Sequence, residues 1–315
     1  WDNIYTRNEN ACNNQQGEPT MGFLKKFTKQ EISWMMYDWA NSAHSVIIVT
    51  LLPIFFDTVA GYTADSVSSM STWGFATSLA MAIVALSAPF LGVFGDIRGM
   101  RKKLFSFFML LGVAACAGMA FTPGMDFTSG PVAAGKVASL ILVLYIVSVI
   151  GFDASAIYYD AFLTDVTIED RMDKVSTMGY GLGYIGGSTI PLLIFLIMNL
   201  VGVPMLTCLA FVFGLTAVWW LAFSLPLLKN CEQTSGKPYE KGDVARSIKG
   251  VGTTIKEIIA NKPMLIYILS YFFYIDGVHT VISMATTYGT NLGLDSTGMM
   301  LALLLVLMLL YAREG

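Results

Sequence analysis

Long apolar runs separated by short polar stretches dominate this chain. A helix needs about 20 apolar residues to cross the roughly 30 Å of bilayer hydrocarbon. By that ruler seven runs qualify: Ile32–Ala60, Thr72–Phe94, Leu104–Thr122, Gly135–Leu163, Val175–Val201, Met205–Leu228 and Pro263–Thr290. An eighth, Gly298–Tyr311, is short and reads as a buried or incomplete segment. Between the sixth and seventh runs, Val244, Ile248, Val251, Ile255 and Ile258 recur at spacings of four and three, with Arg246, Lys249 and Lys256 off that stripe. This spacing predicts an amphipathic helix lying on a membrane surface, with a regulatory docking site as the other reading. The pattern as a whole predicts an all-α, polytopic membrane protein.

Composition agrees, with 55% hydrophobic and 13% charged residues and a mean hydropathy of +0.62. The net charge of −3 decides nothing, but the placement of the 19 Lys and Arg does. Lys25, Lys26 and Lys29 precede the first span, and Arg98, Arg101, Lys102 and Lys103 follow the second. Arg171 and Lys174 follow the fourth, and seven more lie from Lys229 to Lys262. All four places fall on one side, and the opposite loops carry Lys136 alone, so the amino terminus and the long central loop are expected to be cytoplasmic. Cations confined to loops also argue against a nucleic-acid surface. Cys12, Cys116, Cys208 and Cys231 have neither metal-ligand nor disulfide-framework spacing. Residues 1–20 are polar and unpatterned, and Met21 followed by Lys25 and Lys26 reads as a natural start, with residues 1–20 not native and no cleavable signal peptide.

One loop says more than "membrane". Gly92, Asp96, Gly99, Arg101 and Lys102 fall at spacing G-x-x-x-D-x-x-G-x-R-K between the second and third spans. The glycines allow a tight turn at the lipid boundary, the carboxylate accepts hydrogen bonds, and the cations fix the side. This pattern resembles the signature loop of major facilitator superfamily transporters. Three further stretches narrow the resemblance to the vacuolar amino-acid effluxer family and its bacterial relatives. Tyr37-Asp38-Trp39-Ala40-Asn41-Ser42 resembles that family's first-helix signature. Tyr159-Asp160-Ala161-Phe162-Leu163 resembles its Tyr-Asn-Ala-Phe-Leu segment, and Tyr274 to Thr280 resembles its Tyr-x-Asp-Gly-x-x-Thr element. His44 replaces an aromatic residue, Asp160 an asparagine, and His279 a glutamine or similar polar residue.

The resemblance implies a major facilitator fold: a cytoplasmic segment 1–28, a six-helix half 29–228, a cytoplasmic linker 229–261, and the start of a second half, 262–315, with about two helices. It implies that Asp96 and Arg101 join a charge network closing one transport state. The matching part of that network comes from an eleventh helix that this chain does not reach. The alternative is a basic topogenic loop without a gating role.

A charge inside a bilayer costs about 2.5–3.5 kcal/mol on insertion scales, so intramembrane ionisable groups need explanation. Asp38 either hydrogen-bonds neighbouring helices or takes part in gating or ion coupling. Asp153 and Asp160, seven apart, share one helix face. Asp160 reads as a solvated cap, and the deeper Asp153 as the candidate for proton or cation coupling. Asp276 and His279, three apart, either relay protons as a pair or make a static helix–helix hydrogen bond. His44 reads as a packing residue before a proton carrier. Asn41 and Tyr159 enter as solute or proton candidates through their motifs.

Gly179, Gly183 and Gly187 stand four apart and predict a smooth ridge for close helix packing. Gly181-x-Gly183-x-x-Gly186 mimics a dinucleotide-binding pattern but lies within an apolar span with no strand before it. Pro53, Pro89 and Pro191 are expected to bend or open their helices, or to be tolerated by the bundle. No P-loop, His-Glu-x-x-His or Gly-x-Ser-x-Gly motif occurs, which argues against an ATP-driven pump and an intramembrane enzyme. The expectation is a monomeric secondary transporter without a cofactor or metal. It moves a small polar solute by alternating access, most naturally amino-acid efflux, with protons or sodium as coupling ion. The expected site is a bacterial-type plasma membrane rather than a vacuole. A sugar/cation symporter of the same fold and a non-transporting sensor or assembly partner remain open.

Overall fold

The computed structural model describes residues 26–63, 66–236, 238, 243–294, 298, 299 and 302. Its elements are α1 (Lys29–Ala60), α2 (Ser66–Gly95), α3 (Arg101–Met119), α4 (Pro131–Val166), α5 (Glu169–Leu182), α6 (Thr189–Leu200), α7 (Met205–Asn230), α8 (Asp243–Ala260) and α9 (Lys262–Asn291). A 3-10 turn, Thr122–Gly124, follows α3, and a π-helical turn, Gly183–Ser188, joins α5 to α6. Among the described residues, seven helical stretches are long and apolar enough to span a bilayer, and they match the seven runs in the sequence. The eighth run, Gly298–Tyr311, lies almost wholly outside the described residues.

The first span begins at Lys29, ahead of its apolar run, because Thr28 and Glu31 form a reciprocal cap. Glu31 N donates to Thr28 Oγ1 at 3.2 Å, and Thr28 N donates to Glu31 Oε2 at 2.8 Å. Two otherwise orphaned N–H groups are satisfied and the helix gains a polar first turn. α1 and α2 run unbroken through Pro53 and Pro89. The fifth span does not, and its break lies just before Pro191. Proline has no N–H to give the carbonyl four residues back, and the glycine-rich stretch costs little to distort. The helix therefore takes an extra residue into a π turn, and Thr189 Oγ1 donates to the Tyr184 carbonyl at 2.9 Å.

α1 is the hub. It packs against α7, the π turn, α4 and α5, and its apolar stretch is largely buried. Two apolar clusters divide the bundle along its length. One gathers Leu51, Phe55, Trp73 and Phe213, and the other gathers Trp34, Tyr37, Phe105, Tyr158 and Trp220. α3 and α4 approach backbone to backbone, since a Cβ at Gly151 would lie 2.5 Å from Gly112 N. α9 packs on α1 and α2 but leaves most of its length exposed. The amphipathic stripe predicted in the linker falls within α8, which a single residue, Asn261, joins to α9. Asn261 caps α9 by accepting from Met264 N at 3.3 Å.

The basic segments converge on one end of the bundle. Arg171 Nη2 donates to the Lys26 carbonyl at 2.9 Å, Lys174 lies 5.5 Å from the centre of the Phe27 ring, and the segment after α7 lies on the loop that contains Arg101.

Candidate functional site

The sequence-predicted residues fall into two environments. The first is the loop between α2 and α3. Gly99 adopts φ +79°, a conformation glycine takes without strain. α3 then starts at Arg101 behind Met100, which has no capping side chain. The missing cap comes from far along the chain: Gln233 Oε1 accepts from Gly99 N at 2.9 Å and Arg101 N at 3.3 Å. Gln233 Nε2 in turn donates to the Gly95 carbonyl, the last of α2, at 3.0 Å. One side chain thus closes both helix ends that meet at this turn.

The Arg101 guanidinium is buried and turned inward. Nη1 donates to the Asp165 carboxylate, to the Ala161 carbonyl at 3.0 Å and to Ser235 Oγ at 3.2 Å, while the guanidinium lies 5.8 Å from the Phe162 ring centre. Asp165 Oδ1 also accepts from Thr234 N and Oγ1 and from Ser235 N and Oγ, at 2.8–3.1 Å. Asp96 is peripheral, with its Oδ1 3.8 Å from Arg101 Nη2 and its side chain 84% exposed. The principal carboxylate on Arg101 is therefore Asp165 at the end of α4. The expected network of Asp96 and Arg101, with its matching part from a second half, did not include it. A second clamp stands beside the first: Arg171 Nε and Nη2 donate to the two oxygens of buried Glu31 at 2.9 and 2.7 Å. Beyond α7, Cys231 is buried under this end, and burial pushes its thiol up to about 12. Lys102 lies close enough to oppose that shift.

The second environment is a polar seam inside the bundle, where α1, α4 and α5 meet. Trp34 Nε1 donates to the Tyr159 carbonyl at 2.9 Å and its ring stacks on Tyr159 with centroids 4.4 Å apart. The Tyr37 hydroxyl lies 2.8 Å from Ser155 Oγ. Asp38 is 7% exposed and lies beside the hydroxyl of Tyr159, a residue 4% exposed; the two are close enough to interact, Asp38 Oδ2 and the hydroxyl stand outside ordinary hydrogen-bond geometry, and neither has another partner. Gly179, Gly183 and Gly187 face α1 here. A Cβ at Gly179 would lie 2.5 Å from Asp38 Oδ2, one at Gly183 2.6 Å from Ser42 Oγ, and one at Gly187 2.5 Å from the Trp39 carbonyl. Without side chains, α5 and the π turn can close on the polar face of α1.

Asp153 sits deeper in α4, and its Oδ2 is buried without a partner. His44 stacks on Phe152 at 5.1 Å and lies against Trp220 at 4.8 Å, yet neither ring nitrogen meets a hydrogen-bond partner. Asn41 is buried beside Tyr37. Asp160 and Asp276 are exposed, and the His279 side chain lies outside the described residues. A depression of about 500 Å³ lined by Asp126 and Lys136 lies by the loop between α3 and α4, at the other end of α4 from Asp160. Asp126 there is spent on its own turn, accepting from Thr128 N and Ser129 N at 3.1 Å.

Sequence reasoning missed Glu31, Asp165, Arg171, Gln233 and Ser235. The Thr28-x-x-Glu31 spacing signals a capping box, and Asp165 is an acidic residue closing the fourth apolar run. Gln233 and Ser235 carry no local signal, because their partners lie 70 or more positions away.

A model of the family described as vacuole effluxer Atg22 like matches residues 27–167 and 164–313. The chain is 39% identical over 288 residues to an uncharacterized MFS-type transporter, YxiO, of Bacillus subtilis strain 168, covering 89% of this chain and 64% of that protein. It is 26% identical over 136 residues to autophagy-related protein 22-1 of Penicillium rubens, covering 40% of this chain and 23% of that protein. The chain therefore spans less than two thirds of the length of these curated relatives. The crystal structure of a D-xylose-proton symporter superposes with a TM-score of 0.59 at 14% identity, over 90% of this chain and 66% of that one, a likeness of fold. With the α1 hub, the Arg101 loop and the α4 segment all inside the matched residues, this chain belongs to the vacuole effluxer Atg22-like family and has the major facilitator fold.

Proposed function

We propose that this protein is a secondary transporter that exports amino acids across a bilayer by alternating access, driven by protons. The observation that carries this reading is the seam: Asp38 Oδ2 and Asp153 Oδ2 are buried with no hydrogen-bond partner. Burying a charge without a partner is costly, so groups left in that state have something else to meet. In this reading Asp153, deep in α4, takes up and releases the proton, while Asp38 and Tyr159 face the solute. The Arg101 end faces the cytoplasm, as the placement of the cations argues. Separation of Arg101 from Asp165 unlocks that end, and the π turn between α5 and α6 lets the fifth span flex as access alternates.

The test is flux in proteoliposomes with an imposed pH gradient, using radiolabelled amino acids. The wild-type protein concentrates its solute, whereas Asp153→Asn loses gradient-driven accumulation and keeps solute exchange. Gradient-driven accumulation that stays normal in Asp153→Asn sinks the coupling role. Flux of sugars in place of amino acids replaces the solute class, and absence of any flux leaves a non-transporting membrane protein.

A further inference from the structure

Proline does not by itself break a span in this bundle, since α1 and α2 run unbroken through Pro53 and Pro89. The fifth span, which takes a π turn ahead of Pro191, therefore has something more to hold it. Trp39 on α1 stands at that turn. A Cβ at Gly186 would overlap the six-membered ring of its indole, so the ring fills the space into which a side chain would project. α7 pins the same residue. Trp219 stacks on Trp39 with centroids 5.9 Å and planes 14° apart, Phe223 meets it edge-on at 6.1 Å, and Trp219 Nε1 donates to the Trp39 carbonyl at 3.0 Å. The ridge on α1 accounts for Gly179, Gly183 and Gly187, and the Trp39 ring accounts for Gly186.

The turn sets which faces of the fifth span are used. Gly179 and Gly183 lie against Asp38 and Ser42 of α1, and Ser188 Oγ then donates to the Ser42 carbonyl at 3.4 Å. Leu192, Phe195 and Leu196 carry the buried face onward into the apolar core. The step from Gly183 to Ser188 is five residues, the spacing of a π turn, where an unbroken α-helix repeats at three or four. Each α-helical residue turns by about 100°, so taking the extra residue out would rotate α6 by that much against α5 and withdraw one of the two faces from its partners. Trp39 Nε1 is buried without a partner, a donor that this arrangement leaves unused. We propose that Trp39 is a positioning residue: its ring holds the fifth span in the π register, which sets Gly179 against Asp38, and its release lets the span close to an unbroken α-helix as access alternates. The hold on the register stands on packing alone, whereas its part in the cycle rests on the transporter reading above.

The test reads the register from the oxygen accessibility of nitroxides placed one at a time along α6, in bilayers, on a background with the cysteines replaced. In the π register the accessible positions include Ile197 and Leu200, which are 57% and 75% exposed. In Trp39→Phe, which loses the outer indole ring, and in Trp39→Ala, the accessibility pattern should move by one position, the about 100° of one residue. Gly186→Ala alone should lower the folded yield on size exclusion, and Trp39→Phe should restore it, because the smaller ring leaves room for the Cβ. A pattern that stays in phase in both Trp39 variants overturns the proposal, and so does a Gly186→Ala defect that Trp39→Phe leaves uncorrected. If the cysteine-replaced background does not fold, hydrogen exchange of the unlabelled protein decides: closure to an α-helix slows exchange across the turn in Trp39→Phe, and unchanged exchange overturns the proposal. In proteoliposomes, Trp39→Phe should cut flux of radiolabelled amino acids by at least about tenfold while the half-saturating concentration moves less than about threefold. A rotated pattern with unchanged flux overturns the part in the cycle. If the wild-type protein moves no amino acid, the transporter reading fails, and the nitroxide pattern still decides the hold of Trp39 on the register.

Discussion

The Arg101 end and the Asp38 seam are built from similar polar groups and finished in opposite ways. At the Arg101 end the two buried carboxylates are matched, although Arg101 Nε itself has no hydrogen-bond partner: Asp165 takes Arg101, two hydroxyls and two backbone N–H groups, and Glu31 takes Arg171, Thr167 and its own cap. In the seam, Asp38 Oδ2, Asp153 Oδ2, the Tyr159 hydroxyl and both His44 nitrogens have no partner. Matched groups inside a low-dielectric bundle hold structure together, whereas unmatched ones cost stability that only a function repays. The first region reads as a lock and the second as a site.

The sharpest way to break this comparison is to unmatch the lock. Asp165→Ala leaves the Arg101 guanidinium buried without its carboxylate and should destabilise the protein by about 3–5 kcal/mol, read as a lowered midpoint of denaturant unfolding in detergent. An unchanged midpoint would show that Arg101 is not locked by Asp165. Next is the π turn beside the glycine ridge. Gly186→Ala places a Cβ 2.0 Å from the Trp39 ring, which should cost about 1–3 kcal/mol by overpacking. The control is Gly181→Ala, where nothing lies within 4 Å and the exchange should be neutral or slightly stabilising.

The third prediction has the opposite sign and tests the seam. Asp38→Asn removes an uncompensated buried charge and should raise stability by about 1 kcal/mol while weakening solute binding. A clear loss of stability would mean that Asp38 belongs to the lock. Gln233→Ala should cost about 1 kcal/mol, since it frees Gly99 N, Arg101 N and the Gly95 carbonyl at a partly solvated surface. It should also speed maleimide labelling of Cys231 in a variant keeping that cysteine alone.

The smallest effect is in the pH dependence of Cys231. Its thiol ordinarily titrates near 9.0, and burial raises it to about 12 in the folded protein. The folded state favours the neutral thiol, so this contribution is complete below pH 9 and is lost as pH rises from 9 towards 12. Cys231→Ala should remove that share of the alkaline loss, seen by comparing unfolding midpoints at pH 8 and pH 10.

Much of the fold was legible because a bilayer leaves one local solution: every apolar run of sufficient length becomes a helix. The fit was poorest at the ends, where Thr28 and Glu31 extended α1 beyond its apolar run, and in the fifth span, where Pro191 and its upstream glycines produced a π turn instead of one continuous helix. The seam was partly legible, because Asp38, Asp153 and Tyr159 stand out as polar groups in apolar company. Their lack of partners was not, since that depends on Gly179 and Ser155 arriving from other helices. The loop pattern placed Arg101 and Asp96 in one charge network, yet Asp165 and Ser235 hold Arg101 from the end of α4 and from beyond α7.

The sequence by itself determined the spans, the clustering of cations and the family signatures, because helix formation in lipid and the placement of charge are settled within one helix length. Tertiary structure alone decided which of those charges are spent and which are free. A carboxylate in an apolar helix is a lock or a site according to what the neighbouring helices bring against it, and those neighbours lie a hundred or more positions away.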